Sequence, residues 1–94
     1  MAKAEEKYKE IRQMLDSGRL VIGTERVMKY LKQDKLEKVY LSHNCPDDLK
    51  ARIKHYSGLN KIEAKELDIL NDELGVVCRK PFAISIIGLL KNDG

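Results

Sequence analysis

Two short stretches of this sequence carry residue types suited to holding a polyanion. In "RLVIGTERVMKYLKQDK", residues 19–35, an apolar run stops at Gly23 and a helical pattern follows that puts Arg26 and Lys29 on one outer face. Glycine lets a backbone approach a ligand closely. A helix N-terminus at Thr24 and Glu25 offers unpaired N–H groups and the positive end of a dipole, both suited to phosphate. In "CRKPFAISI", residues 78–86, Arg79 and Lys80 stand beside Pro81, the sole phenylalanine Phe82, and Ala83. An aromatic ring next to cations can stack on an exposed nucleobase. Each stretch also has a plainer reading. The first is, on its own, more simply a solvated helix face after a strand–helix corner. In the second, the ring can close the end of the core, which is the role we favour for Phe82 from sequence. That role leaves Arg79 and Lys80 without a reason.

The charge distribution adds weight to the first stretch. The chain has 94 residues and a net charge of +3. Residues 1–18 are balanced and residues 19–35 carry five basic against two acidic side chains. Residues 36–60 add +1 and residues 61–94 contribute −1. A local basic excess on a nearly balanced chain points to a specific anionic partner rather than general stickiness.

Other chemistries find little footing. There is no phosphate-loop or dinucleotide glycine pattern and no nucleophile elbow. His43, Cys45, His55 and Cys78 could be assembled into a metal site on paper, but only His43 and Cys45 are close in sequence. The two cysteines, too few for a disulfide framework, read as buried small hydrophobes of a reducing compartment. Asp47 and Asp48 fit the first turn of a helix without any catalytic role. The sequence thus predicts no enzyme, no cofactor and no metal. No apolar run is long enough to span a membrane, and the N-terminus lacks a signal-peptide core, so a cytosolic location is expected.

The elements that must position these residues follow from periodicity. Ala4, Tyr8, Ile11 and Leu15 recur at helical spacing, and Gly18 follows as a stop. Residues 19–22 read as a strand. Gly23 or Thr24 can cap a helix whose Val27, Met28 and Leu31 face inward. "KVYLS", residues 38–42, is a strand. "NCPDD" starts a helix with Asn44 or Cys45 near its cap, Pro46 in its first turn, Leu49, Ile53 and Tyr56 as its buried face, and Gly58 as its end. Residues 61–66 alternate as a strand with Ile62 and Ala64 on one face. "DILNDELG" reads as a short helix capped by Asp68 and stopped by Gly75. "FAISIIGLL" is apolar enough for a central strand covered on both faces. Strands alternating with helices predict an α/β fold: a three-layer α/β/α sandwich around a mixed, mostly parallel four-stranded sheet.

These stretches together resemble the ribosomal protein L thirty-e / L seven-Ae family, and the L thirty-e branch more closely. "LVIGTERVMKYLKQDKLEKVYLSHNCP" matches its strand, glycine, basic helix, strand and "NCP" helix start; "LGVVCRKPFAISII" matches its Leu-Gly, Cys and final buried strand. The resemblance covers nearly the whole chain and implies a single RNA-binding domain over residues 1–94. It implies recognition of kink-turn RNA, a helix–internal loop–helix bent at tandem sheared G·A pairs, within the ribosome or another ribonucleoprotein. Partners would be that structured RNA and neighbouring ribosomal or ribonucleoprotein proteins. By position, Gly23, Thr24, Glu25, Arg26 and Lys29 would lie beside the G·A pairs, and Arg79, Lys80, Pro81, Phe82 and Ala83 would cover a flipped base. Two positions depart from the pattern. Glu25 stands where the family usually has Asn or Lys, and Arg26 where it usually has Glu or Gln. The alternative expectation is a protein-interaction module on the same fold, with kink-turn specificity altered or lost.

Overall fold

The computed structural model describes residues 9–91. Ala4 and Tyr8, the first two positions of the predicted N-terminal helix face, lie outside them. Within the described residues the chain forms α1 (Lys9–Ser17), β1 (Leu20–Ile22), α2 (Thr24–Lys32) and β2 (Leu36–Leu41). Then come α3 (Asp47–Leu59), β3 (Glu63–Glu66), α4 (Asn71–Val77) and β4 (Ile86–Leu90).

The strands make one four-stranded sheet in the order β1-β4-β2-β3. Helices cover both faces, as expected. Ile11 and Met14 of α1 and Leu74 and Val77 of α4 pack on Tyr40, Ile87 and Leu89. Val27, Met28 and Leu31 of α2 and Ile53 of α3 pack on Val21, Val39, Leu41 and Ile86. The most apolar strand, β4, is central because its side chains feed both cores: Ile87 and Leu89 on one face, Ile86 on the other.

The sheet is mixed, but it is not mostly parallel. Only β2 and β3 pair parallel; β1–β4 and β2–β4 are antiparallel. The reason lies in α4. A parallel return would have to carry the chain back along the sheet, about 17 Å for the five residues of β4 at about 3.3 Å each. The seven residues of α4 span only about 10 Å at 1.5 Å each. The chain therefore stays at the end where β2 stops. There the Ser42 N–H bonds Ser85 O at 2.9 Å and the Ile84 N–H bonds Asn71 O at 2.9 Å. β4 then starts opposite Leu41 and runs back against β2.

Helix ends also differ from the glycine-stop reading. Gly58 lies inside α3 and Gly75 inside α4. The chain stops α2, α3 and α4 with Asp34, Lys61 and Arg79, all in the left-handed region at φ 56°, 57° and 60°. Each closure has the paired bonds of a Schellman motif: in α4, Arg79 N–H to Val76 O at 3.0 Å and Lys80 N–H to Gly75 O at 2.9 Å. At the N-termini, Pro46 rather than Asn44 or Cys45 holds the cap position of α3. α4 begins three residues beyond Asp68, with Leu70 at its cap position.

Candidate functional site

Gly23 ends β1 and holds the N-cap position of α2 with φ 106° and ψ 145°. That conformation is open essentially to glycine alone. It turns the chain sharply, so that α2 starts beside the head of β4: the Gly23 N–H points to Ile86 O at 3.4 Å, and Gly23 O accepts from Val27 N–H at 3.0 Å. Arg26, Lys29 and Gln33 are exposed along α2, as the spacing predicts.

The loop before β4 reaches the same end of the sheet. It is held down by α4, where the backbone of Phe82 runs directly over Gly75. A Cβ on Gly75 would sit 2.1 Å from Phe82 O, far inside van der Waals contact. The glycine therefore does not end a helix; it clears space for the loop.

Between these two supports lies an open cleft of about 380 Å³ lined by Leu15, Leu20, Ile22, Gly23, Arg26, Lys80 and Phe82. Two candidate residues from each sequence stretch thus meet across one cavity. Phe82 is not core, contrary to the role favoured from sequence: 56% of it is exposed. The strand it was expected to join begins only at Ile86, and Ile84 takes the buried place at the sheet end. Pro81 and Ala83 are exposed on the same loop.

Arg79 is engaged elsewhere. Its guanidinium lies 3.4 Å from Asp16 at the end of α1, and it does not line the cleft. Thr24, Glu25 and Lys29 face a second cavity of about 500 Å³ on the other side of α2, together with Met28, Lys32, Gln33 and Arg52. Sequence reasoning missed Leu15, Leu20 and Ile22 as cleft floor, because their apolar character reads equally well as core. It also missed Arg52, whose role shows only once α3 is laid against α2.

The cleft suits a planar ring attached to an anion. Its floor is aliphatic, its rim carries a phenyl ring, and Arg26 and Lys80 flank it. Among the described residues neither cation has a carboxylate within 4 Å. No group of three or more His, Cys, Asp or Glu that could hold a metal occurs among the described residues. Cys45 and Cys78 are buried free thiols. Burial pushes the Cys45 thiol up and the Cys78 thiol up to about 11, so both stay protonated and unreactive near neutral pH. No described helix is long and apolar enough to cross a membrane.

Comparison with known proteins supplies a context. A model of the ribosomal protein L7Ae/L30e/S12e/Gadd45 family matches residues 5–94. The large ribosomal subunit protein eL30 of Methanocaldococcus jannaschii is 35% identical over 87% of this chain and 74% of its own length. That of Saccharolobus solfataricus is 35% identical over 86% of this chain and 75% of its own. Among solved structures, a 15.5 kDa RNA-binding protein of Giardia lamblia shares the fold, with a TM-score of 0.78 at 13% identity, over 99% of this chain and 78% of that one.

Proposed function

The chain belongs to the ribosomal protein L7Ae/L30e/S12e/Gadd45 family, and on that premise we infer that it binds and stabilises bent, kink-turn-like RNA as a component of the large ribosomal subunit or a related ribonucleoprotein. Its work is binding, without chemistry on the RNA, in the cytoplasm where ribosomes act. The observation that carries this reading is the cleft in which an exposed aromatic ring and an aliphatic floor meet two cations that have no ion pair among the described residues. A base turned out of the stack would lie between Phe82 and the floor. Arg26 and Lys80 would hold the phosphates on either side of it. The positive end of α2 adds to the field at the same point.

The departures at Glu25 and Arg26 bear on specificity. A carboxylate or amide at the second position can accept from guanine N–H groups, whereas Arg26 can only donate. Its targets are guanine O6 and N7 or phosphate oxygens.

A gel shift tests the reading, using a kink-turn RNA and a control with its G·A pairs disrupted. Tighter binding of the bent RNA is expected. With about three to five phosphate contacts, affinity should fall with salt at a log–log slope of about −3 to −5. A slope near zero, or equal affinity for a plain duplex, would overturn it.

A further inference from the structure

The second cavity, on the far side of α2, is a groove between α2 and α3. Glu25, Met28, Lys29 and Lys32 fall at helical spacing along the α2 side, and Arg52 projects from α3. Among the described residues three cations therefore face one carboxylate. None of the three has a carboxylate within 4 Å among the described residues, although Glu25 precedes Lys29 by four positions and Asp48 precedes Arg52 by four. Lys32 lies over the ring of Tyr56, its ammonium 5.5 Å from the ring centre. This contact seats the side chain in the groove and leaves its charge uncompensated.

Resting on the RNA-binding reading, we propose that this groove is a second phosphate-backbone site, which carries the RNA stem beyond the bend. The two cavities share α2: Gly23 and Arg26 line the cleft, Thr24 and Glu25 line the groove. On the helix circumference Lys29 stands between Arg26 and Lys32, so cations lead from one cavity to the other, with Glu25 the carboxylate among them. A strand leaving the cleft across α2 meets Lys29, then Lys32 and Arg52.

The chemistry selects a polyanion backbone over a small ligand or a protein. The groove is open and its cations are long, exposed side chains, which hold phosphates without reading bases. A protein interface would need an exposed aromatic or aliphatic anchor at its centre. The one apolar lining residue, Met28, is buried in the core beneath. Glu25, exposed on the groove, lowers the net attraction and keeps the contact weaker than the cleft.

The test uses the full chain and two RNAs sharing one kink-turn, one with a long stem on both sides and one with both stems cut close to the bend. The Arg52→Gln/Lys32→Gln double variant should bind the long-stemmed RNA about tenfold more weakly, with a salt slope shallower by about two, one for each cation removed. Its affinity for the short-stemmed RNA should equal that of the wild type. Unchanged affinity for the long RNA, or equal loss on both RNAs, would overturn the proposal. The comparison with Phe82→Ala separates this failure from that of the parent reading. If Phe82→Ala weakens both RNAs while the double variant weakens neither, only the groove assignment falls. If the wild type binds neither RNA better than a plain duplex, both fall.

Discussion

The cations of this molecule differ in how they are held. Away from α2, five of the described ones have a carboxylate within 4 Å, Arg79 with Asp16 among them. Arg19 donates twice to Leu90 O, at 2.8 and 3.2 Å, and to Glu37 at 3.0 Å. Lys50 meets Glu66 at 2.9 Å, Lys91 meets Asp34 at 3.0 Å and Lys38 meets Glu10 at 3.5 Å. Around α2, by contrast, Arg26, Lys29, Lys32, Arg52 and Lys80 have no carboxylate within reach among the described residues. Exposed ion pairs contribute at most about 1 kcal/mol each, so the difference matters little for stability. It matters for the field. Paired charges cancel at a distance, whereas unpaired ones project into solvent and attract a partner. A hydrogen bond from Lys50 holds the Glu66 carboxyl below the usual carboxylate range. That pair's small contribution is present above the ordinary carboxylate value and is lost as pH falls through the lowered one.

The largest effect should come from moving the cleft without touching a charge. Gly75→Ala forces a methyl group against the backbone of Phe82. We expect it to destabilise the fold by about 2–4 kcal/mol, as overpacking against backbone does. In the fraction that folds, the displaced loop should bind RNA more weakly. Denaturant titration alongside gel shifts reads both. Unchanged stability would mean the loop adjusts freely and the geometry of the cleft is not held by α4.

Phe82→Ala separates ring from charge within the cleft. Since the ring is largely exposed, folding stability should change by less than about 1 kcal/mol, while RNA binding weakens by about 1–3 kcal/mol. A loss of about 3–5 kcal/mol in folding would instead mark a core residue. A smaller step compares one cation from each region. Lys29→Ala should cost on the order of 1 kcal/mol of RNA binding with stability within about 0.5 kcal/mol. Lys50→Ala should leave RNA affinity unchanged. If the two variants bind alike, pairing does not distinguish the regions.

The layers of the fold were legible because they depend on periodicity. Val27, Met28 and Leu31 point inward at the spacing a helix demands, and the apolar run ending at Leu90 lies in the middle of the sheet. Strand direction was not legible, since it turns on whether α4 is long enough to carry the chain back. Helix ends misled for a related reason. Gly75 and Gly58 look like stops, but three helices stop on Asp34, Lys61 and Arg79, residues that carry no such signal and accept a left-handed backbone. A left-handed non-glycine residue is disfavoured by about 1 kcal/mol or more. Of the candidate site, residue types were visible and convergence was not. No spacing rule reveals that Lys80 and Phe82 face Gly23 and Arg26, or that Arg79 turns away to Asp16.

The smallest expected effect concerns Glu25, the one carboxylate among the described residues that line the groove. It sits in the first turn of α2, where its charge stabilises the helix dipole by about 0.3–1 kcal/mol. It makes no ion pair with Lys29, so it is not holding that cation in place. Toward RNA held as proposed its charge would act in the opposite sense, facing phosphates and competing with them for the end of the helix. Across partly hydrated separations that repulsion is on the order of 1 kcal/mol. Glu25→Asn should therefore tighten binding of a kink-turn RNA several-fold. Stability should stay nearly unchanged, because Asn is also tolerated at helix starts. The gain should shrink as salt rises, as screening shortens the range of the charge removed. Titrations of both proteins at low and high salt measure this directly. Weaker binding by Glu25→Asn would mean the carboxylate contacts the RNA itself, as an acceptor for guanine N–H groups. No change in either Glu25→Asn or Lys29→Ala would make this side of α2 an ordinary solvated face, leaving the cleft at Phe82 to bind alone.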